Sequence, residues 1–160
     1  IQSVDFTGCF YIRDDSIEVL LKRCPLIERL YLRNCRKLTD ETLRHVVRAG
    51  KNLLAVDVGG CFNVTGLGVD ALCATHPNIS RFTELDVSGI AVTTGSLELI
   101  CQRCESLEVL RIGFTDFTEV VFRESLQPIL PRLRSLHVHW TAGTSDAFLV
   151  WLGKSAPQLR

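Results

Sequence analysis

The 160-residue sequence predicts a curved α/β solenoid, because one short pattern recurs six times along the chain. The copies begin at residues 4, 30, 56, 85, 110 and 136, which gives steps of 26, 26, 29, 25 and 26 residues. Each copy has apolar residues two positions apart, as expected of a strand with one buried face. Apolar residues at helical spacing follow most of the copies. We therefore predict parallel strands on the concave face of the solenoid and helices on its convex face.

Each predicted unit consists of one strand, one loop and one helix. The strand segments are VDFTGC (4–9), LYLRNC (30–35), VDVGGC (56–61), LDVSGI (85–90), LRIGFT (110–115) and LHVHWT (136–141). A polar or capping residue stands where most of the helices should begin: Asp14, Asp40, Gly66, Ser96 and Ser145. Proline or glycine marks several helix ends: Pro25, Gly50, Pro77, Pro131 and Pro157. These start and stop signals agree with the period of the strands.

The one longer step lies between the third and fourth strands. Its extra residues fall in HPNISRFTEL (76–85), which predicts a longer connection from helix to strand. No linker, charge block or low-complexity tract interrupts the repeats. We expect residues 1–160 to form a single domain of about six repeats. We also expect a fragment of a longer array, because capping repeats are not recognisable at either end.

The charge balance argues against partners that are recognised through a strong electrostatic field. Eighteen basic and eighteen acidic residues cancel, so we expect neither nucleic acid nor a membrane surface as a partner. No apolar run approaches the ~18 residues of a transmembrane helix. Seven scattered cysteines are typical of a reducing compartment, whereas the sequons NVT (63–65) and NIS (78–80) point towards secretion. We expect a cytoplasmic or nuclear location, or both.

Three cysteines share one repeat position, and their role decides whether the repeats carry chemistry. Cys9, Cys35 and Cys61 are followed at the equivalent positions by Ile90, Thr115 and Thr141. A catalytic or metal-binding thiol would not be exchanged for these residues, so we interpret the cysteines as compact side chains that pack where the strand turns inward. Cys101 and Cys104 form C-x-x-C, but no second pair lies at zinc-finger spacing. We predict no metal site and no cofactor.

Two further motifs suggest chemistry but are better explained by the repeat. TGLGVDAL (65–72) matches a dinucleotide-binding G-x-G-x-x-A, with Asp86 twenty residues after Gly66, yet it aligns with the helix start of an ordinary unit. His137 and His139 stand two apart on a strand and point the same way, as a metal-binding pair would. No third ligand is identifiable, and a solvated pair on a binding face is the favoured interpretation. Because no catalytic set can be assembled, we predict that the protein is not an enzyme.

The repeat resembles the cysteine-containing leucine-rich repeat. The stretches that carry the resemblance are CPLIERLYLRNCRKLTDETL (24–43), LLAVDVGGCFNVTGLGVDAL (53–72) and CESLEVLRIGFT (104–115). This subclass is typical of F-box and leucine-rich-repeat proteins, the substrate receptors of cullin–RING ubiquitin ligases. The resemblance implies a ribonuclease-inhibitor-like solenoid that binds a protein substrate, with Skp1 and cullin recruited only through an F-box outside these residues. The alternative is a leucine-rich-repeat protein without ligase function, such as a ribonuclease-inhibitor-like regulator, an immune-type sensor or an assembly component.

The residues that alternate outward on the strands form the candidate binding surface. Six strands at ~4.8 Å spacing make a strip about 25–30 Å long. The predicted protein-binding residues are Tyr31, Arg33, Asp57, Asp86, Arg111, Phe114, His137, His139 and Trp140. We expect a peptide or protein surface of basic character to lie over an acidic saddle at Asp57 and Asp86, so that charge reversal there weakens binding with little loss of stability. The alternative is a solvated sheet face without a partner.

Overall fold

The computed structural model describes residues 2–142 and 144–160, and its strands form one six-stranded sheet. The strands are β1 (Ser3–Asp5), β2 (Arg29–Tyr31), β3 (Ala55–Asp57), β4 (Glu84–Asp86), β5 (Val109–Arg111) and β6 (Ser135–His137). All neighbouring strands are parallel and follow the order of the chain. The predicted curved α/β solenoid with parallel strands is therefore confirmed.

One helix follows each strand. The helices are α1 (Asp14–Arg23), α2 (Asp40–Ala49), α3 (Gly66–Thr75), α4 (Thr94–Arg103), α5 (Glu119–Ser125) and α6 (Asp146–Ser155). A 3₁₀ turn at Ile79–Arg81 fills the connection between α3 and β4. Phe82 at the end of this turn is fully buried, and the His76 ring packs edge-on against it with ring centroids 5.0 Å apart. The turn accounts for the longer third step, and the predicted long connection at 76–85 is confirmed.

The strand register is constant across the sheet. Leu30 pairs with Val56, which in turn pairs with Leu85. These side chains are fully buried between the sheet and the helices, where each contributes about 1.5–3 kcal/mol to stability. A slip of one residue would turn this apolar row to solvent, so the alternation of apolar residues determines which side chains face outward.

Each of the last five helices begins after a threonine or serine cap. The cap side chains, which accept backbone N–H groups of the first helical turn, belong to Thr39, Thr65, Thr93, Thr118 and Ser145. Of the predicted start residues, Asp14, Asp40 and Gly66 instead lie one position later, as the first residues of their helices. Ser96 completes a capping box with Thr93. Only the prediction for Ser145 identifies the cap itself.

A carboxylate at the start of one helix binds the start of the next helix. Asp14 accepts the backbone N–H and the hydroxyl of Thr39, both at 2.9 Å, and it also accepts the hydroxyl of the fully buried Thr42. Asp40 repeats the arrangement with Thr65, at 2.6 Å from the N–H and 2.8 Å from the hydroxyl. These aspartates thus join successive repeats, and each also gains from the dipole of its own helix.

The cysteine position is part of the packing between repeats. The buried thiol of Cys35 donates to the Phe6 carbonyl of the preceding repeat at 3.1 Å. Cys61 donates in the same way to the Leu32 carbonyl, also at 3.1 Å. Burial raises the pKa of the Cys61 thiol to about 12, so this thiol stays protonated at neutral pH. The interpretation as packed scaffold residues is confirmed for Cys35 and Cys61, whereas Cys9 in the first repeat is exposed.

The C-x-x-C pair is also part of the core. Cys101 lies on α4, Cys104 lies directly after it, and both are almost completely buried. Burial raises the pKa of the Cys101 thiol to about 12. A protonated thiol without access to solvent is a poor nucleophile, which favours the packing interpretation over redox chemistry.

Removal of the Asp14 carboxylate should destabilise the protein far more than removal of its neighbour. Asp14→Ala eliminates three hydrogen bonds to a charged acceptor and leaves the buried Thr42 hydroxyl without its acceptor. The free energy of unfolding should therefore fall by about 2–3 kcal/mol. Asp15→Ala is the matched control, because Asp15 is exposed in the same helical turn and should contribute less than about 1 kcal/mol. Urea denaturation measures both losses, and equal values would contradict the assignment.

Candidate protein-binding surface

The register brings the outward residues of all six strands into one row. In strand order the row consists of Asp5, Tyr31, Asp57, Asp86, Arg111 and His137. Arg33 and His139 lie two residues further along the chain than Tyr31 and His137. Phe114 and Trp140 follow where β5 and β6 end. The predicted binding residues therefore lie along the outward row and the adjoining strand exits.

Exposure differs strongly along this surface. Asp57 and Asp86 are buried, with 7% and 0% of their surface exposed. The half-buried residues are Tyr31, Arg33 and Arg111, and the exposed residues are Phe114, His137, His139 and Trp140. The surface therefore has a closed centre at β3 and β4 and an open end at β5 and β6.

Arg33 closes the centre by pairing with both aspartates. Its Nε lies 3.3 Å from Oδ2 of Asp57, and its Nη2 donates to Oδ2 of Asp86, two strands away. The guanidinium crosses Gly59, where a Cβ would lie 3.2 Å from Arg33 Cζ and 2.8 Å from Asp86 Oδ1. Because position 59 has no side chain, one arginine can span three strands.

Glu84 belongs to the same cluster, although the sequence-based prediction missed it. Arg111 Nη1 donates to one oxygen of Glu84, and the Tyr31 hydroxyl donates to the other at 3.3 Å. Arg111 Nε also lies 4.0 Å from Oδ2 of Asp86. Glu84 lies two residues before Asp86 on β4, so strand alternation was the signal that could have found it. The Arg33 network, as we name it, consists of Tyr31, Arg33, Asp57, Glu84, Asp86 and Arg111.

The remaining oxygen of each aspartate is bound by the backbone. Asp57 Oδ1 accepts the N–H of Gly59 at 2.8 Å, and Asp86 Oδ1 accepts the N–H of Ser88 at 2.9 Å. Each carboxylate is therefore matched by an arginine on one side and by the turn on the other. The prediction of an acidic saddle open to a basic partner is wrong, because Asp57 and Asp86 are buried and already paired. Because both carboxylates are buried and paired, we now expect charge reversal at either position to lower stability.

Loss of the Asp86 side chain should destabilise the fold. In Asp86→Ala the half-buried Arg33 and Arg111 guanidinium groups lose a shared carboxylate, so the free energy of unfolding should fall by about 3 kcal/mol. His137→Ala is the control, because His137 stands in the same row but is exposed, and its loss should cost less than about 0.5 kcal/mol. Thermal and chemical denaturation test the pair. An Asp86 variant as stable as wild type would rule out a structural role for the Arg33 network.

The surroundings of Asp57 give the Arg33 network a pH response. Burial raises the pKa of this carboxyl group from 3.8 to about 6, and the nearby Asp86 carboxylate adds to the rise. The Gly59 N–H and the Arg33 guanidinium lower the pKa by less than this. Because the folded state binds the proton more tightly than the unfolded state, the stability that protonation contributes is complete below about pH 4. It is lost as the pH rises towards about 6.

Asp57→Asn should remove this response. Between about pH 4 and pH 6.5, the unfolding free energy of wild type should fall by about 2–3 kcal/mol more than that of the variant. This figure follows from the rise in the Asp57 pKa from 3.8 to about 6, at ~1.4 kcal/mol per pKa unit. Asp5→Asn is the control: a hydrogen bond from Thr7 lowers the pKa of the exposed Asp5, so any response there has the opposite sign. Denaturant titrations across this pH range provide the measurement. A difference between wild type and Asp57→Asn that does not change with pH would show that the pKa of Asp57 is not raised in the folded state.

A residue with left-handed backbone conformation follows every strand at the same repeat position. We name these residues the strand-exit rim; they are Gly8, Asn34, Gly60, Gly89, Phe114 and Trp140, with φ between +56° and +74°. Glycine and asparagine adopt this conformation readily, whereas a bulky side chain costs about 1–3 kcal/mol. The last two repeats therefore accept strain at Phe114 and Trp140.

The two strained residues form an exposed aromatic group with His139. The rings of Phe114 and Trp140 are nearly parallel, with centroids 6.3 Å apart and 8° between their planes. The His139 ring meets Phe114 at 4.9 Å and 88°, and it lies over Gly113, where a Cβ would be 2.7 Å from the ring. We name Phe114, His139 and Trp140 the aromatic ledge. Phe114 is 57% and Trp140 82% exposed, and exposed aromatic residues are characteristic anchors of protein interfaces.

A surface depression of about 380 Å³ adjoins both the Arg33 network and the aromatic ledge. Its lining residues are Arg33, Asn34, Gly60, Phe62, Ser88, Gly89 and Phe114. Phe62 is 70% exposed and was not among the predicted binding residues. Its alignment with Phe10, directly after the cysteine position, was the signal that could have identified it. The depression adds an apolar surface along the strand exits from β2 to β5.

The described residues show neither a metal centre nor a membrane span. Within 2–142 and 144–160, no three His, Cys, Asp or Glu side chains are grouped so as to hold a metal ion. His137 Nε2 lies 3.0 Å from Ser135 Oγ, while His139 packs on Phe114, so the two histidines have different partners. Over the same ranges, no helix has the length and apolar character needed to cross a membrane.

The six strand–helix units, with their outward strand row and their cysteine or threonine position, define a leucine-rich-repeat solenoid. The chain is 34% identical to the F-box/LRR-repeat MAX2 homolog of Oryza sativa subsp. japonica over 89 residues, which are 54% of this chain and 12% of the rice protein. No family model matches the chain. The protein therefore resembles the repeat region of F-box and leucine-rich-repeat proteins, and its leucine-rich-repeat fold agrees with that resemblance.

Solved structures share this fold. A chain of the yeast Rad7–Elc1 complex matches 100% of this protein with a TM-score of 0.83 and 20% identity, and the match covers 41% of that chain. The tropomodulin C-terminal domain of Caenorhabditis elegans matches 92% of this protein with a TM-score of 0.67 and 12% identity, and the match covers 93% of that domain. At these identities the likeness concerns the fold alone. The protein spans 12% of the rice relative and less than half of the yeast chain.

Proposed function

We propose that this leucine-rich-repeat interaction module is the substrate-recognition region of an F-box-type ubiquitin ligase receptor. The observation that carries the proposal is the 34% identity to the rice F-box/LRR-repeat protein. The fold shared with the yeast Rad7–Elc1 complex over the whole chain supports it. In such a receptor the repeats hold the substrate, and Skp1 and cullin are engaged through an F-box outside the present residues.

The geometry favours binding without catalysis. The charged groups of the Arg33 network are paired with one another, and the thiols of Cys61 and Cys101 are buried and protonated at neutral pH. Two large exposed side chains, Phe114 and Trp140, instead lie side by side in the aromatic ledge. The partner in this proposal is a protein substrate, and the repeats perform no chemistry. The proposed location is the cytoplasm or the nucleus, where cysteines remain reduced.

Co-purification tests the ligase assignment. The full-length protein that contains these repeats should retain Skp1 and cullin. A matched variant that lacks residues 1–160 should still retain both, but it should no longer ubiquitylate the substrates of the full-length protein, because recognition resides in the repeats. If the full-length protein binds neither Skp1 nor cullin, the proposal fails and a leucine-rich-repeat protein without ligase function is favoured.

A further inference from the structure

The fold does not require the rings of Phe114 and Trp140. The left-handed position that Phe114 and Trp140 occupy is filled by glycine or asparagine in the other four repeats. Trp140 is 82% exposed, so it buries little apolar surface within the chain. A strained residue that gains so little from its own side chain points to a contact outside the chain.

Exposed aromatic rings at the other end of the sheet are covered by cations. The guanidinium carbon of Arg36 lies 5.0 Å from the centroid of the Phe10 ring, and Nζ of Lys37 lies 5.5 Å from that of Tyr11. Both cations belong to the next repeat. In the part of the chain that the structure describes, no lysine or arginine covers the rings of the aromatic ledge in this way. Those ring faces can therefore accept a cation from another molecule.

Two surface depressions flank the aromatic ledge, and each has one carboxylate in its lining. The first, of about 610 Å³, is lined by residues 89–94 and 114–117, among which Asp116 is the one charged residue. The second, of about 480 Å³, is lined by Val138, His139, Thr144, Ser145, Asp146 and Leu149.

The two carboxylates in these depressions are available to a partner. Asp116 and Asp146 are exposed, and neither forms an ion pair with any residue in 2–142 or 144–160. Apolar and threonine side chains beside them suit the aliphatic stem of a lysine or an arginine. The open end of the surface thus combines aromatic faces with unpaired negative charge.

We propose that the aromatic ledge binds an extended segment of a partner protein through its arginine or lysine side chains. The cation lies on the exposed ring faces of Phe114 and Trp140, where the quadrupole of the rings attracts it. The aliphatic stem occupies a flanking depression, and the charge is compensated by Asp116 or Asp146. This inference rests on the proposed protein-recognition function and names the chemistry of the recognised substrate.

Peptide binding to the 160-residue chain tests the proposal. The probes are labelled glycine–serine peptides that carry two arginines at varied spacing, and the control peptides carry citrulline, which keeps the shape of arginine without its charge. Fluorescence anisotropy should show at least about tenfold tighter binding of the best arginine peptide than of its citrulline counterpart. Added salt should weaken the binding, because the carboxylates are exposed.

Substitutions in the ledge separate binding from stability. Phe114→Asn and Trp140→Asn should each weaken binding of the arginine peptide about tenfold. Their thermal midpoints should stay unchanged or rise, because Asn34 already occupies the equivalent left-handed position. Asp116→Asn should weaken binding several-fold and reduce its salt dependence. Tyr11→Asn is the matched control and should leave binding unchanged, because its ring lies at the far end of the sheet and is covered by a lysine.

Equal binding of the arginine and citrulline peptides would overturn the proposal, as would undiminished binding by both asparagine variants. The result is independent of the ligase assignment. If full-length protein with Trp140→Asn ubiquitylates its substrates as well as wild type does, the ledge is not the recognition site although the ligase function stands. If the arginine peptide binds as expected but full-length protein does not retain Skp1, the ligase assignment fails. The proposal that the aromatic ledge binds arginine or lysine side chains then still stands.

Discussion

The backbone hydrogen bonds between strand exits are the constraint on which the rest of the structure depends. Beyond each strand, two further N–H groups donate to carbonyl groups of the next repeat. At the centre, Val58 donates to Asp86 at 3.0 Å and Gly60 donates to Ser88 at 2.8 Å. The same pair of bonds occurs at each of the five boundaries between the six repeats. Each repeat is therefore completed by its neighbour, and this ladder positions the outward side chains.

This ladder also explains why the outward surface has two different parts. At the centre it holds the strands close enough for Arg33 to reach Asp86 across Gly59, and the charges there compensate one another. At the strand-exit rim it requires a left-handed residue in every repeat, and two repeats use that position to display Phe114 and Trp140. The proposed recognition site thus lies where the fold accepts strain, as functional sites commonly do.

The fold and the composition of the outward row could be predicted from the sequence, because alternation along a strand and a period of about 26 residues are both linear patterns. The burial of Asp57 and Asp86 could not be predicted, because it depends on Arg33 crossing β3 over Gly59 to reach β4. Glu84 was missed because the predicted strand began at Leu85, one residue too late. The aromatic ledge could be predicted in part, because Phe114 and Trp140 align with glycines in other repeats. The stacking of their rings could not be predicted, because it depends on side-chain orientation in three dimensions.

Native-state hydrogen exchange tests the ladder most directly. The central donors are Val58, Gly60, Val87 and Gly89, whose acceptors all lie in the following repeat. We predict that these amides exchange only when the whole chain unfolds, with an opening free energy equal to the one measured by denaturation. Exchange as fast as that of exposed loops would show that neighbouring repeats do not complete one another, and it would contradict this account.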